Sequence, residues 1–272
     1  MTLRRSPHPL CLAHLSVLSL SPPQVVETAA AAGFPLVGLR LAPATPGQHV
    51  FPMLGHAPLM RETLARLGAL GVAVHDVELV GLREDSAVAS FEPLFEAAAR
   101  LGARHVLVAG DSAEEAALAQ RFAELAALGR SYGLRMGLEF MPWRGVRDLA
   151  SALRVLRAAG EGGVVVDAIH LDRSGGAGSD LRAIDPAAWS YFQINDAPPA
   201  RPDTEAELLF QAREARQIPG EGGLDLRGML RALPDGLVVS IEAPLRDART
   251  PLERARVLRE ATQRLIDEVL AE

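Results

Sequence analysis

Short apolar runs alternate with longer Ala-, Leu- and Arg-rich segments from one end of the chain to the other. The runs are Leu10–Val17, Leu36–Leu41, Val72–Val80, His105–Ala109, Arg135–Phe140, Gly163–Ala168, Tyr191–Asn195 and Leu237–Glu242. They are apolar at successive positions rather than at every second one, which marks strands covered on both faces in a parallel sheet. Between them, Pro22–Ala32, Pro58–Leu70, Ser86–Leu101, Ser112–Tyr132, Val146–Ala159 and Pro251–Ala271 read as helices. Most of the helices close on a glycine, at Gly33, Gly71, Gly102, Gly133 and Gly160, where a left-handed residue ends a helix before the next strand. Eight strand–helix units predict an α/β fold, a single (β/α)8 TIM barrel, and 272 residues leave about 34 for each unit. An open doubly wound sheet is the alternative, but Leu18-Ser19-Leu20-Ser21 follows the first run where a glycine-rich dinucleotide turn would stand. No linker or shift of composition divides the chain, so residues 1–272 are expected to form one domain. Two stretches are longer than a compact barrel needs. They are Pro43–Ala57 after the second strand and Ala197–Gly223 after the seventh, the latter with a helix candidate at Glu205–Ala215. Loops at these strand ends carry binding machinery.

Composition narrows the partners. Hydrophobic residues make up 49% of the chain and charged residues 23%, so the core needs no disulfide or metal staple. Lys and Arg number 28 against 34 Asp and Glu, a net charge of −6 with no basic block. That balance opposes nucleic acid and anionic membrane as partners. Cys11 is the single cysteine, which excludes an intrachain disulfide and a four-cysteine zinc site, and it reads as a small core hydrophobe. Arg4 and Arg5 precede an apolar stretch in the manner of a signal peptide, but His8, His14 and Ser21–Pro22 interrupt it. The chain is expected to be cytoplasmic.

Polar residues at the C-terminal ends of barrel strands face the site, whereas those in mid-strand fill the core. Strand five ends in Glu139, strand six in Asp167 with His170 three residues on, strand seven carries Gln193, and strand eight ends in Glu242. The spacings are 28, 26 and 49 residues, the last containing the long loop. Carboxylates buried in apolar strands are costly unless paired or bound to a cation. Three of them and an amide, on four consecutive strands, point to a divalent metal. The all-oxygen donor set favours Mn²⁺ or Mg²⁺, with Zn²⁺ and Co²⁺ as further candidates.

These residues resemble the sugar phosphate isomerase/epimerase family with the xylose isomerase-like barrel. The resemblance is carried by Leu138-Glu139, Asp167-x-x-His170, Gln193-x-x-Asp196, the Arg216-Gln-Ile-Pro-Gly-Glu-Gly222 segment with Asp225, and Ile241-Glu242. It implies that Glu139, Asp167, Gln193 and Glu242 hold the metal, that His170 supports Asp167 from behind, and that Arg216 contacts substrate or orders the metal site. Gln193 departs from the histidine of most epimerases, and a branch resembling 3-dehydroshikimate dehydratase uses Gln there. The chemistry implied is isomerisation or epimerisation of a small sugar or ketose through a metal-stabilised enediolate, with Glu139 and Glu242 as the proton-transfer pair and His170 beside them. Loss of a β-hydroxyl from the same enolate would make the enzyme a dehydratase of a carbocyclic keto acid. A metal-free barrel that binds without catalysis is a further reading. A DNA repair endonuclease on the same barrel is opposed by the acidic balance and by histidines not placed for a trinuclear zinc site.

Other strand ends add candidates. His14 and Arg40 could bind a substrate carboxylate or hydroxyl, although Arg40 could equally pair with Glu78, and His75 lies earlier in its strand. Trp143 could wall the pocket or serve packing alone. Gly175-Gly176-Ala177-Gly178 lacks the Lys-Ser/Thr of a phosphate loop and reads as a loop rather than a phosphate cradle. Arg201–Asp203 and the Arg213–Arg216 cluster, Arg216 excepted, read as solvated loop charges. The partner expected is a small carbohydrate or keto acid. Barrels of this kind often pair as homodimers, and no patch in the sequence marks such an interface.

Overall fold

The computed structural model describes residues 8–45, 47–55 and 57–272; the Arg4–Arg5 segment lies outside them, as do Pro46 and His56 of the first long loop. Eight parallel strands close into a barrel in sequence order: β1 (Leu10–Leu12), β2 (Leu36–Arg40), β3 (Ala73–Leu82), β4 (His105–Gly110), β5 (Arg135–Glu139), β6 (Gly163–Asp167), β7 (Trp189–Ile194) and β8 (Val239–Ile241). The main helices are α1 (Pro22–Ala32), α2 (Pro58–Leu70), α3 (Glu92–Arg100), α4 (Glu115–Ser131), α5 (Leu149–Ala159), α6 (Ala168–Arg173), α7 (Glu205–Glu214), α8 (Leu226–Leu230) and α9 (Pro251–Ala271). The expected barrel is therefore present. All five glycine stops adopt positive φ, from 67° to 83°, as the left-handed ends of helices require.

Local departures have local causes. The first apolar run leaves the sheet after Leu12 and turns into a 3-10 helix at His14–Val17. The long helix expected over Ser86–Leu101 splits into a 3-10 turn at Val88–Phe91 and then α3, whose second residue is Pro93. Proline cannot donate into a continuing helix but suits its first turn. The candidate helix at Glu205–Ala215 forms as α7, with the Thr204 side chain accepting from Glu207 N at its start.

Most of the core lies between sheet and helices. A smaller apolar layer of Leu79, Leu107, Ala109, Val165 and Tyr191 fills the barrel interior. Near the N-terminal end of the strands, the rings of His75, His105 and Tyr191 pack together, with centroids 4.8–5.7 Å apart. Burial, together with the charges of His105 and Arg104, pushes His75 down to about 3. Cys11 is buried, in keeping with a core role. No helix among the described residues is long and apolar enough to cross a membrane.

His75 therefore stays neutral in the folded protein well below pH 6.5, while the unfolded chain protonates it there. Folding stability is lost as pH falls from about 6.5 toward about 3, by about 1.4 kcal/mol per pH unit from this one group. Urea titrations at a series of pH values should show a shallower acid-side slope for His75→Phe than for the wild type.

Candidate active site

Strand register decides which side chains meet. Glu139 pairs with Val165, two residues before Asp167; Asp167 pairs with Gln193, and Gln193 with Ser240, two residues before Glu242. Paired residues of adjacent parallel strands face the same way and alternate along each strand. Glu139, Asp167, Gln193 and Glu242 thus share the face that Val165 and Tyr191 present to the barrel interior. All four are buried, at 0–4% exposure.

A cavity of about 330 Å³ opens above them, lined on its inner side by Glu78, Leu79, Leu107, Glu139, His170 and Glu242. Register between β3 and β4 shifts between Val77 and Val80, so two consecutive residues, Glu78 and Leu79, both reach this cavity; re-aiming side chains is what a bulge does. Both long loops contribute walls, Ala44, Thr45 and Gln48 from one and Ala212, Arg213, Glu214 and Arg216 from the other. The β5–α5 loop adds Met141, Trp143 and Arg144. That loop presses against the β4–α4 loop so closely that a Cβ on Gly145 would lie 2.2 Å from the Ser112 carbonyl oxygen.

The charges are unequally balanced. Arg216 Nη1 donates to Asp167 Oδ2 at 2.6 Å and stands 3.0 Å from Glu242 Oε2. Its Nε donates to the Ala212 carbonyl at 2.6 Å. Asp167 Oδ1 accepts from Asn195 Nδ2 and from Ile169 N, each at 2.9 Å. Burial pushes the Asp167 carboxyl up, but Arg216, His170 and Asn195 together hold it below its ordinary value. Glu242 is raised to about 8, because burial and the charges of Glu78 and Asp167 outweigh Arg216. Glu139 is raised well above the carboxylate range by burial and then by Glu242 and Asp167. His170 Nε2 lies 3.6 Å from Glu139 Oε1, yet burial lowers His170 to about 4. It is therefore neutral near pH 7 and adds no counter-charge at Glu139 to the more distant one of Arg216.

Glu139, Asp167 and His170 each offer a ligand atom, all within 4.8 Å of one another. Gln193 Oε1 and Nε2 are buried with no hydrogen-bond partner among the described residues, an arrangement that costs free energy unless something binds the amide oxygen. A divalent cation answers both deficits, the unbalanced negative charge and the orphaned acceptor. The residues present fit such an ion.

The remaining expected residues fare differently. His14 is buried, with Nε2 against the Leu20 carbonyl and Nδ1 accepting from Arg40 N; both ring nitrogens are committed to backbone, so it is not free for the substrate contact expected of it. Arg40 does line the cavity, but its Nε and Nη2 donate to Glu78 Oε2 at 2.9 and 2.5 Å. The ion-pair reading of Arg40 is the one realised. Arg216 also lines the cavity, with its Nε and Nη1 held by protein acceptors. His170 lies close to both Glu139 and Asp167. Asn195 has no role assigned from sequence, and Asp196 enters there only as the end of the Gln193-x-x-Asp196 motif. Asp196 accepts from Ala197, Gly220, Gly222 and Leu224 N and so ties the Pro-Gly-Glu-Gly segment to β7.

The chain matches the family model of the xylose isomerase-like TIM barrel over residues 26–267 and belongs to that family. Among curated proteins, it is 31% identical over 147 residues to a 3-dehydroshikimate dehydratase of Pseudomonas aeruginosa. The match covers 51% of this chain and 23% of that enzyme. Among solved structures, it resembles the IolI protein with a bound zinc atom, with a TM-score of 0.77 at 18% identity over 96% of this chain and 98% of the other. It also resembles a D-allulose 3-epimerase from Methylomonas sp., with a TM-score of 0.70 at 14% identity over 95% of this chain and 98% of that one.

Removing the bridging guanidinium leaves two buried carboxylates uncompensated. Arg216→Ala should cost about 3–5 kcal/mol of stability, read as a lower urea midpoint in chelator-treated protein at pH 8.

Proposed function

We propose that the protein is a divalent-metal-dependent isomerase or epimerase that moves a proton on the carbon beside a carbonyl of a small hydroxylated substrate. The observation that carries this reading is the orphaned Gln193 amide on the same inner face of the barrel as the crowded Glu139, Asp167 and Glu242, of which Glu139 and Glu242 are under-compensated. Glu139, Asp167, Gln193 and Glu242 would hold the ion, with His170 beside Glu139. The zinc-bound neighbour and the epimerase neighbour lend this reading support at the level of the fold.

A bound divalent cation would polarise the substrate carbonyl and acidify the adjacent C–H bond. Glu139 and Glu242 come from strands that are not neighbours, so they approach the substrate from different sides. One takes the proton at a carboxylate oxygen and the other returns it. Return to the same carbon from the opposite face inverts it, and return to the next carbon exchanges aldose for ketose. Neutral His170 can donate to Glu139 as the glutamate's charge changes. Arg216 keeps Asp167 and Glu242 from moving, while Leu79, Leu107, Met141 and Trp143 exclude water from the reacting carbon.

A second reading is a lyase like 3-dehydroshikimate dehydratase, in which the β-hydroxyl departs after proton removal. The 31% identity to that enzyme and the glutamine at position 193 favour it.

Wild-type protein loaded with Mn²⁺ and incubated in D₂O with a panel of ketoses and with 3-dehydroshikimate separates the readings. Deuterium beside the carbonyl together with an epimer or isomer supports the first; an ultraviolet-absorbing aromatic product supports the second. Glu139→Gln should lower the rate by roughly 10²–10⁴-fold. No exchange with any substrate, and no Mn²⁺ binding, would contradict both.

A further inference from the structure

The ion pairs around the cavity wall leave one cation over. Arg40 is taken by Glu78, Arg216 by Asp167 and Glu242, and Arg144 by Asp111 at 2.7 Å. Glu214, next to Arg213 in sequence, pairs with Arg246 at 3.4 Å. Arg213 makes no ion pair or hydrogen bond among the described residues. Its guanidinium carbon lies 5.8 Å from the centre of the Trp143 ring, which holds it over one wall of the cavity. Burial and the neighbouring charge of Arg144 lower its pKa. Arg213 thus lies within electrostatic reach of Arg144 and, unlike it, has no carboxylate partner among the described residues.

The rest of this corner is also one-sided. Trp143 Nε1 and Arg144 Nε are buried donors without an acceptor among the described residues. Indole and guanidinium groups donate and never accept, so none of the three side chains can accept a hydrogen bond from a ligand, and the cavity-lining Arg213 is the one left free to donate among the described residues. A flat, singly charged carboxylate meets this requirement, because it accepts from a guanidinium fork and lies against an aromatic face.

We propose that Arg213, Trp143 and Arg144 form a subsite for a carboxylate carried by the substrate. The same indole meets the His170 ring edge-on, with centroids 5.0 Å apart, so the subsite lies one small-molecule length from Glu139. A cavity of about 330 Å³ has room for a monosaccharide-sized acid. The reacting end of that acid is assigned through the proton-transfer reading above; the carboxylate end is assigned by the corner alone.

Isothermal titration with 3-hydroxybenzoate and its neutral isostere 3-hydroxybenzamide tests the subsite, on metal-free and on Mn²⁺-loaded full-length protein. Wild type should bind the benzoate roughly tenfold tighter or more, the usual scale of one charged hydrogen bond. The gap should close in Arg213→Gln and persist in Arg201→Gln, whose parent arginine pairs with Asp172 outside the cavity lining. Equal binding of the two probes to wild type, a gap that survives Arg213→Gln, or no binding of the benzoate at millimolar concentration would overturn the subsite. So would inorganic phosphate displacing the benzoate at lower concentration than the benzoate itself binds. Mn²⁺ titration of the same samples keeps the two assignments apart. Absent Mn²⁺ binding with the carboxylate preference intact removes the metal reading and leaves the subsite. Normal Mn²⁺ binding with no preference removes the subsite alone.

Discussion

The organisation of this protein turns on one electrostatic problem, the burial of several carboxylates at the mouth of an apolar cylinder. Asp167, Glu139 and Glu242 are withdrawn from water by the strands that carry them, and a single guanidinium, Arg216, bridges two of the three. Its effect is uneven. Asp167 stays below its ordinary pKa, while Glu242 and Glu139 are pushed above theirs. Such a cluster is tolerable only if further positive charge arrives or protons are retained. The same imbalance suits the cluster to bind a cation and to move protons.

The fold converts strand register into chemistry. Alternation along β5, β6 and β7, carried on past β8, sends one donor from each to a common face, and the irregular β3 edge delivers Glu78 to hold Arg40 across from them. The loops are then free to shape the cavity without supplying its inner donors. The same barrel is shared by the IolI protein and the D-allulose 3-epimerase that this chain resembles.

The architecture was legible from sequence because two-sided apolar runs and glycine stops are local signals. Helices α1, α2 and α9 fall on their expected bounds. The first strand was overestimated because an apolar run does not reveal that the His14 ring bonds Leu20 and Arg40 and turns the chain out of the sheet. Strand-end position picked out the carboxylates and Gln193, since an acid closing an apolar run is itself unusual. It could not tell whether Arg40 or His14 was free, because their partners come from other elements of the barrel. Arg213, expected to be a solvated loop charge, is indeed exposed but lies on α7. Its place over Trp143 depends on closure of the barrel, which no local pattern shows.

The account stands on one ion shared by oxygen donors from consecutive strand ends. Crystals soaked in Mn²⁺ and measured for anomalous scattering test it most directly. A single peak within about 2.5 Å of oxygens from Glu139, Asp167, Gln193 and Glu242 is the expected result. A cavity with no peak there, or Mn²⁺ held only by surface acids while the Gln193 amide stays unligated, would contradict it.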